Sequence, residues 1–184
     1  MKFRGVISLL LVFLTVACSS PEPRSPITAS KSYTLSKTVD QLKKINRLEE
    51  AKILRYIKND SLSNYKVSPY GFWYLYVDKI NNESLVPKSG NIVEVSYEIL
   101  NLKNEVVYSK EELGNKKYKV DKEDFIPALQ AGIKMMKQGE TIKFVIPPYN
   151  AFGVVGDSNK IGINQSIICI VTLVSIKENT KNEN

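Results

Sequence analysis

Residues 125–153, FIPALQAGIKMMKQGETIKFVIPPYNAFG, decide the fold of this chain. Pro127 suits the first position of a helix, because the backbone N–H that proline lacks has no helical partner there. Leu129, Ile133 and Met136 recur at helical spacing and therefore share one face. The segment predicts one short helix with an apolar side.

The residues that follow this helix predict a buried strand and a stiff turn. Gly139 can supply a left-handed cap for the helix, and TIKFVI (141–146) is typical of a strand. The pair Pro147–Pro148 restricts the backbone of the next turn, so that Tyr149 and Phe152 point in fixed directions. Such a turn could form the rim of a pocket.

Outside this block, five further segments combine period-two alternation with β-branched and aromatic residues. They are GFWYLYV (71–77), NIVEVSYEIL (91–100), EVVYS (105–109), KKYKV (116–120) and IICIVTLVSI (167–176). With the strand at 141–146 they predict an α+β fold. We expect a twisted antiparallel sheet of about five to six strands wrapped on one short helix.

An amphipathic helix is predicted ahead of the sheet, from Val39 to about Ile57. Its apolar residues are spaced mostly by three and four: Val39, Leu42, Ile45, Leu48, Ile53 and Ile57. Its charges are mixed, which favours docking on its own domain or on a second copy over binding to a membrane surface.

The N-terminus has the order of a secretory signal. Lys2 and Arg4 precede a short apolar run, and small residues follow it. The sequence TVAC, which ends at Cys18, resembles a bacterial lipobox, so residues 1–17 are expected to be removed and Cys18 lipidated. The alternative is an ordinary signal peptide cut near Ala17. Residues 18–37 are rich in Ser and Pro, which predicts a flexible tether.

Composition excludes several kinds of chemistry. The 184-residue chain has no histidine and two cysteines, Cys18 and Cys169, so neither a Cys/His pair nor a thiolate-rich metal site can form. The net charge of +7 falls to +5 without Lys2 and Arg4, and the basic residues are scattered, which argues against nucleic-acid binding. We expect no cofactor and no metal, and a reaction that needs little proton transfer.

Residues from about Val93 to Ile176 resemble the FKBP-type peptidyl-prolyl cis-trans isomerases. The likeness rests on VEVSYEIL, VVYS, the block 125–153 and IICIVTLVSI, with GFWYLYV as an extra leading strand. GDSNKIG (156–162) is more narrowly similar to the gliding-motility-associated FKBP-type lipoproteins (GldI-like). The implied organisation is an N-terminal helix and linker at 38–66, an isomerase domain at 67–177 and a disordered tail at 178–184.

The resemblance also implies roles for nine residues. Four residues fall at catalytic positions. Tyr97 falls at a pocket wall and Ile126 at a backbone N–H donor. Leu129 falls at the pocket floor and Phe152 at the position of a substrate-binding tyrosine. The substrate-binding positions are Val107, Tyr108, Phe125, Ile161 and Cys169. Five of the nine depart from the family: Val107 replaces a phenylalanine, Tyr108 an aspartate, Leu129 a tryptophan, Phe152 a tyrosine and Cys169 an aromatic residue.

The implied function is isomerisation of Xaa–Pro bonds in exported proteins, at a lipid anchor on the bacterial envelope. Serine after Cys18 predicts the outer membrane, facing the periplasm, and the narrower resemblance suggests a link to gliding motility. One alternative is a chaperone or assembly component that grips proline-containing or apolar segments with negligible turnover. Another is an inert lipoprotein scaffold whose helix dimerises.

Overall fold

A computed structural model describes residues 29–61, 64–81 and 83–178, and residues from Val39 onward form one compact unit. The helices are α1 (Ala29–Asn59), α2 (Lys110–Leu113) and α3 (Pro127–Ile133), with a 3-10 turn at Pro148–Asn150. The strands are β1 (Lys66–Val67), β2 (Trp73–Asp78), β3 (Ile92–Leu100), β4 (Val106–Tyr108), β5 (Lys116–Lys119), β6 (Thr141–Ile146) and β7 (Ile167–Lys177).

Within the described residues, these seven strands form one antiparallel sheet. Their order is β1-β2-β6-β7-β3-β4, and β5 pairs with the first half of β3 on the same edge as β4. The expected α+β architecture, an antiparallel sheet with a short helix on one face, is confirmed. The two-residue strand β1 and the one-turn helix α2 were not predicted, because segments this short carry no periodic signal.

One face of the sheet packs against α3 and forms the main core. Leu129, Ile133 and Met136 are fully buried there, as their shared helical face predicts. The closest approach is at Gly132, since a Cβ atom at this position would lie 2.5 Å from Cε1 of Phe144 on β6. This glycine lets α3 lie directly on the strand.

The opposite face of the sheet is covered by the second half of α1. Ile53 is fully buried and packs in a cluster with Trp73, Leu100, Val145 and Ile168. This helix therefore docks on its own domain, which was one of the two predicted arrangements.

A polar cluster lies at the edge of the same contact. The Lys143 ammonium donates to Asp60 Oδ2 at 2.7 Å, and the Tyr65 hydroxyl donates to the same oxygen at 2.6 Å. Burial and the hydrogen bond to Asp60 raise the pKa of Tyr65 far above its usual value. The cluster joins the end of α1 to the centre of the sheet.

Two predicted boundaries are corrected. Helix α1 begins at Ala29 rather than Val39, so residues 29–37 of the predicted tether are helical. No proline lies between Pro26 and Asn59 to interrupt the helix. Helix α3 ends at Ile133. The backbone N–H groups of Met135 and Met136 then donate to carbonyls three residues earlier, which is the 3-10 pattern common at helix ends. Gly139 has φ +87° but donates to Leu173 O before β6, so it does not cap α3.

Some predictions fall on residues that the structure leaves undescribed: the signal at 1–17, Cys18 with the tether up to residue 28, and the tail from residue 179. Among the described residues, no helix has both the length and the apolar character needed to cross a membrane.

Candidate active site

A cleft of about 490 Å³ opens where β3, β4, the segment before α3 and the β6–β7 loop meet. Its volume lies in the lower half of the range of roughly 300–1,000 Å³ that is usual for ligand sites. Five of the nine predicted site residues line it: Tyr97, Tyr108, Phe125, Ile126 and Phe152. The fold therefore brings together residues that lie as far apart in the sequence as β3 and the β6–β7 loop.

The other four predicted residues do not line this cleft. Leu129 and Cys169 are fully buried in the main core, and Ile161 is 3% exposed. Val107 is half-buried and packs against the same core. Burial raises the pKa of the Cys169 thiol, which keeps it protonated and unreactive.

A larger groove, of about 740 Å³, lies between the end of α1 and the β3–β4 turn. Its lining is dominated by charged and amide side chains, among them Lys52, Arg55, Asp60 and Lys103. A prolyl ring would lie among these charged groups and meet few apolar side chains there, so the smaller cleft fits a proline better.

The aromatic wall of the cleft is held rigid by ring contacts. Phe125 meets Tyr97 edge to face, with ring centroids 5.4 Å apart, and lies 5.4 Å from the fully buried ring of Tyr118. The Lys116 ammonium lies 4.9 Å from the Phe125 centroid. Burial raises the pKa of Tyr97, so its hydroxyl remains a hydrogen-bond donor at neutral pH.

Ile126 lines the cleft, and its backbone N–H is unpaired within the described part of the chain. It precedes Pro127, which holds Ile126 in an extended conformation (φ −54°, ψ 122°) outside the helix. Its carbonyl accepts from Leu129 N at 2.8 Å and Gln130 N at 3.0 Å, but its N–H has no acceptor among the described residues. Because Ile126 is only 8% exposed, this unpaired donor is available for a ligand carbonyl.

The β6–β7 loop forms the facing wall and is tied to β4. The Tyr108 hydroxyl donates to Asp157 Oδ2, while Asp157 Oδ1 accepts from Asn159 N at 2.9 Å and Ile161 N at 2.8 Å. The hydrogen bond to Asp157 raises the pKa of Tyr108. Burial would raise the pKa of Asp157, but these three hydrogen bonds lower it.

The sequence reasoning missed Asp157 and the link it makes to Tyr108. The pattern Asp-Ser-Asn after Gly156 is a turn signal, and it could have indicated that the Asp157 carboxylate caps its own loop. Nothing in the sequence places that carboxylate against a tyrosine 49 residues away. Asp124, Lys116 and Leu113 also line the cleft and were not predicted.

Comparison with known proteins agrees with this geometry. Residues 84–174 match the family profile of the FKBP-type peptidyl-prolyl cis-trans isomerases. These residues therefore form an FKBP-type peptidyl-prolyl cis-trans isomerase domain, and the cleft lies within it. No curated protein matches the chain.

Many solved structures match this fold, including one from Escherichia coli and one from Pseudomonas syringae. FkpA from Escherichia coli is 24% identical, with a TM-score of 0.59, and the match covers 96% of this chain and 82% of FkpA. A peptidyl-prolyl cis-trans isomerase from Pseudomonas syringae pv. tomato is 15% identical, with a TM-score of 0.58, and the match covers 71% of this chain and 93% of that protein. At these identities the likeness concerns the fold.

Proposed function

We propose that this protein catalyses cis-trans isomerisation of Xaa–Pro bonds in exported polypeptides at the bacterial envelope. The barrier to this rotation, roughly 18–20 kcal/mol, arises from C–N resonance, and the uncatalysed reaction takes tens to hundreds of seconds. Twisting the amide removes resonance and reduces its dipole. An apolar cleft that excludes water therefore favours the twisted amide over the planar one.

The unpaired N–H of Ile126 is the observation that carries this proposal. It lies at the edge of an apolar cleft, where it can bind a substrate carbonyl while the rings of Tyr97, Phe125 and Phe152 surround the prolyl group. No step requires an acid, a base or a nucleophile, which is consistent with a chain that contains no histidine.

A variant that removes this donor tests the proposal. Proline accommodates φ −54°, so Ile126→Pro deletes the N–H at a backbone angle that proline adopts, and Ile126→Val is the control that shortens the side chain but keeps the N–H. Leaving a desolvated carbonyl unpaired costs about 1–3 kcal/mol, which corresponds to a loss of about 5- to 150-fold in kcat/KM. The measurement is the cis-to-trans relaxation of Xaa–Pro peptides with the full chain.

The outcomes separate catalysis from other roles. Acceleration proportional to protein concentration, retained in Ile126→Val and lost in Ile126→Pro at unchanged thermal stability, supports catalysis. Equal rates for the two variants would remove the Ile126 N–H from the mechanism. No acceleration by the unmodified chain would reject the isomerase proposal.

A second candidate function is holding of unfolded segments without turnover. It is favoured by apolar side chains exposed on the β6–β7 loop, which forms one wall of the cleft: Val154 is 56% exposed, Val155 72% and Ile163 67%. Slower aggregation of an unfolded client, lost in Val155→Asp and unchanged in Ile126→Pro, would support this role.

The envelope location is proposed from the sequence of the N-terminus. We expect Cys18 to carry the lipid that holds the domain at the outer membrane, facing the periplasm. Cys18→Ala should move the protein from the membrane fraction to the soluble fraction, and unchanged fractionation would refute lipidation there. A role in gliding motility, proposed from the GldI-like motif, predicts that a deletion strain loses surface spreading and that Cys18→Ala fails to restore it.

A further inference from the structure

The end of the cleft beside β4 is closed by a bridge between its two walls. Tyr108 lies at the end of β4, Asp157 lies on the β6–β7 loop, and both line the cleft. The hydrogen bond from the Tyr108 hydroxyl to Asp157 Oδ2 joins these walls directly. The other carboxylate oxygen, Asp157 Oδ1, accepts from Asn159 N and Ile161 N, so the bridge ends in the turn of the loop.

A second contact holds the same two segments together from outside. The Lys160 ammonium lies 4.7 Å from the centroid of the Tyr108 ring. It also contacts both carboxylate oxygens of Glu112, at 2.6 and 2.7 Å, and Glu112 lies on α2 directly after β4. The ring of Tyr108 therefore has the cleft on one side and an ion pair on the other.

The loop itself cannot retreat easily from this bridge. Gly156 has φ +73°, and a Cβ atom there would lie 2.4 Å from the Ile161 carbonyl oxygen, so the loop closes tightly on itself. Asp157 N donates to that same carbonyl at 3.1 Å, and Asn164 N donates to Gly153 O at 2.8 Å. The wall that carries Asp157 is thus a preformed unit rather than a loose flap.

We propose that Tyr108 is a specificity-determining residue of the isomerase site, held in place by Asp157 as a positioning residue, and that their bridge selects small residues next to the substrate proline. This inference rests on the proposed isomerase function. A peptide cannot pass between two walls that are joined by a hydrogen bond. The side chain adjacent to the proline at this end must therefore fit the space that the Tyr108 ring leaves.

The test is a ratio of rates, because a general loss of stability would not change it. Two peptide series place Ala or Phe either directly before or directly after the proline, and kcat/KM is measured for each with the full chain. Removing the Tyr108 ring or its bridge to Asp157 should raise the ratio of kcat/KM for the Phe peptide to kcat/KM for the Ala peptide at one of the two positions. Since one methylene in a tight pocket is worth about 10- to 200-fold in discrimination, we expect a change of at least about 10-fold in Tyr108→Ala.

Three variants separate the ring, the bridge and the loop. Asp157→Ala removes the bridge and should raise the ratio as Tyr108→Ala does, with no further increase in the double variant. In Asp157→Asn, Oδ1 can still accept the two loop N–H groups while Nδ2 donates to the Tyr108 oxygen, so the ratio should stay near that of the unmodified chain. Tyr149→Ala, which removes an exposed ring of the same loop outside the cleft, is the control.

Each result decides between the possibilities. Unchanged ratios at both positions in Tyr108→Ala, with rates still accelerated over the uncatalysed reaction, would overturn this inference and leave the isomerase function standing. If the unmodified chain accelerates none of the peptides, the isomerase function itself fails. Equal ratio changes in Tyr149→Ala and Tyr108→Ala would assign the effect to general loosening and would also overturn the inference.

Discussion

The contact between Gly132 on α3 and Phe144 on β6 yields a prediction whose size follows from the coordinates. In Gly132→Ala the new Cβ would lie 2.5 Å from Cε1 and 2.8 Å from Cζ of Phe144. Both residues are buried, Phe144 fully, and the ring also packs edge to face on Phe72, with centroids 5.7 Å apart. The ring therefore has no open space into which it can move.

Two opposing effects set the magnitude. Alanine is favoured over glycine in a helix by about 1 kcal/mol, whereas overpacking a core costs about 1–3 kcal/mol. At separations under 3 Å against a confined ring the steric effect dominates, so we expect Gly132→Ala to lower the free energy of unfolding by about 1–2 kcal/mol. Ala131→Gly in the same helix is the control that reports helix propensity without the clash.

The assay is urea unfolding followed by circular dichroism, with a compensating substitution on β6. Phe144→Leu alone should destabilise by about 1–2 kcal/mol, because it leaves unfilled volume beside α3. In the double variant the alanine methyl group occupies part of that volume, so the combined loss should be smaller than the sum of the single losses. A stable Gly132→Ala, or strictly additive losses, would refute the argument that α3 lies on the strand through this glycine.

Three further predictions concern the cleft and the polar cluster under α1. Phe152→Tyr should raise kcat/KM about 2- to 10-fold by adding a hydroxyl at the cleft wall, and an unchanged rate in the peptide assay would contradict this. The catalysed rate should not change from about pH 5 to pH 9. The raised pKa values of Tyr97 and Tyr108 keep both hydroxyls protonated in this range, and the lowered pKa of Asp157 keeps its carboxylate ionised. A rate that rises or falls near pH 7 would contradict this. The pKa of Tyr65 is raised in the folded protein, so above about pH 10 this tyrosine ionises in the unfolded chain but not in the folded one. The free energy of unfolding should therefore fall as the pH rises above about 10. Alkaline unfolding should therefore be less steep in Tyr65→Phe.

The sheet could be predicted closely because its signals are local. The predicted strand at 141–146 coincides with β6, and the strand at 91–100 differs from β3 by one residue. Alternation and β-branched residues report directly which side chains face a core. The end of α3 was missed because Met136 continues the apolar spacing although the chain has already left the helix at Ile133.

The site could be predicted only in part, because the position of a residue in the sequence does not say whether its side chain lies in the core or at the edge of the cleft. Leu129 and Ile126 are three residues apart, but α3 turns Leu129 fully into the core and leaves Ile126 at the cleft edge. Tyr97 and Phe152 line the cleft as the family resemblance implied. The bridge from Tyr108 to Asp157 depends on the path of the loop between Gly153 and Ser166, which no periodicity encodes.

A reaction that is catalysed without proton transfer depends on polar groups that are held in fixed orientations. A polar group that could turn freely beside the prolyl amide would follow the rotating carbonyl and stabilise the planar and twisted states alike, with no gain in rate. In this cleft the Ile126 N–H is oriented by Pro127 and by the hydrogen bonds to its own carbonyl, and the Tyr108 hydroxyl is oriented by Asp157. These groups are fixed by residues on either side of the cleft, so the preorganisation belongs to the fold.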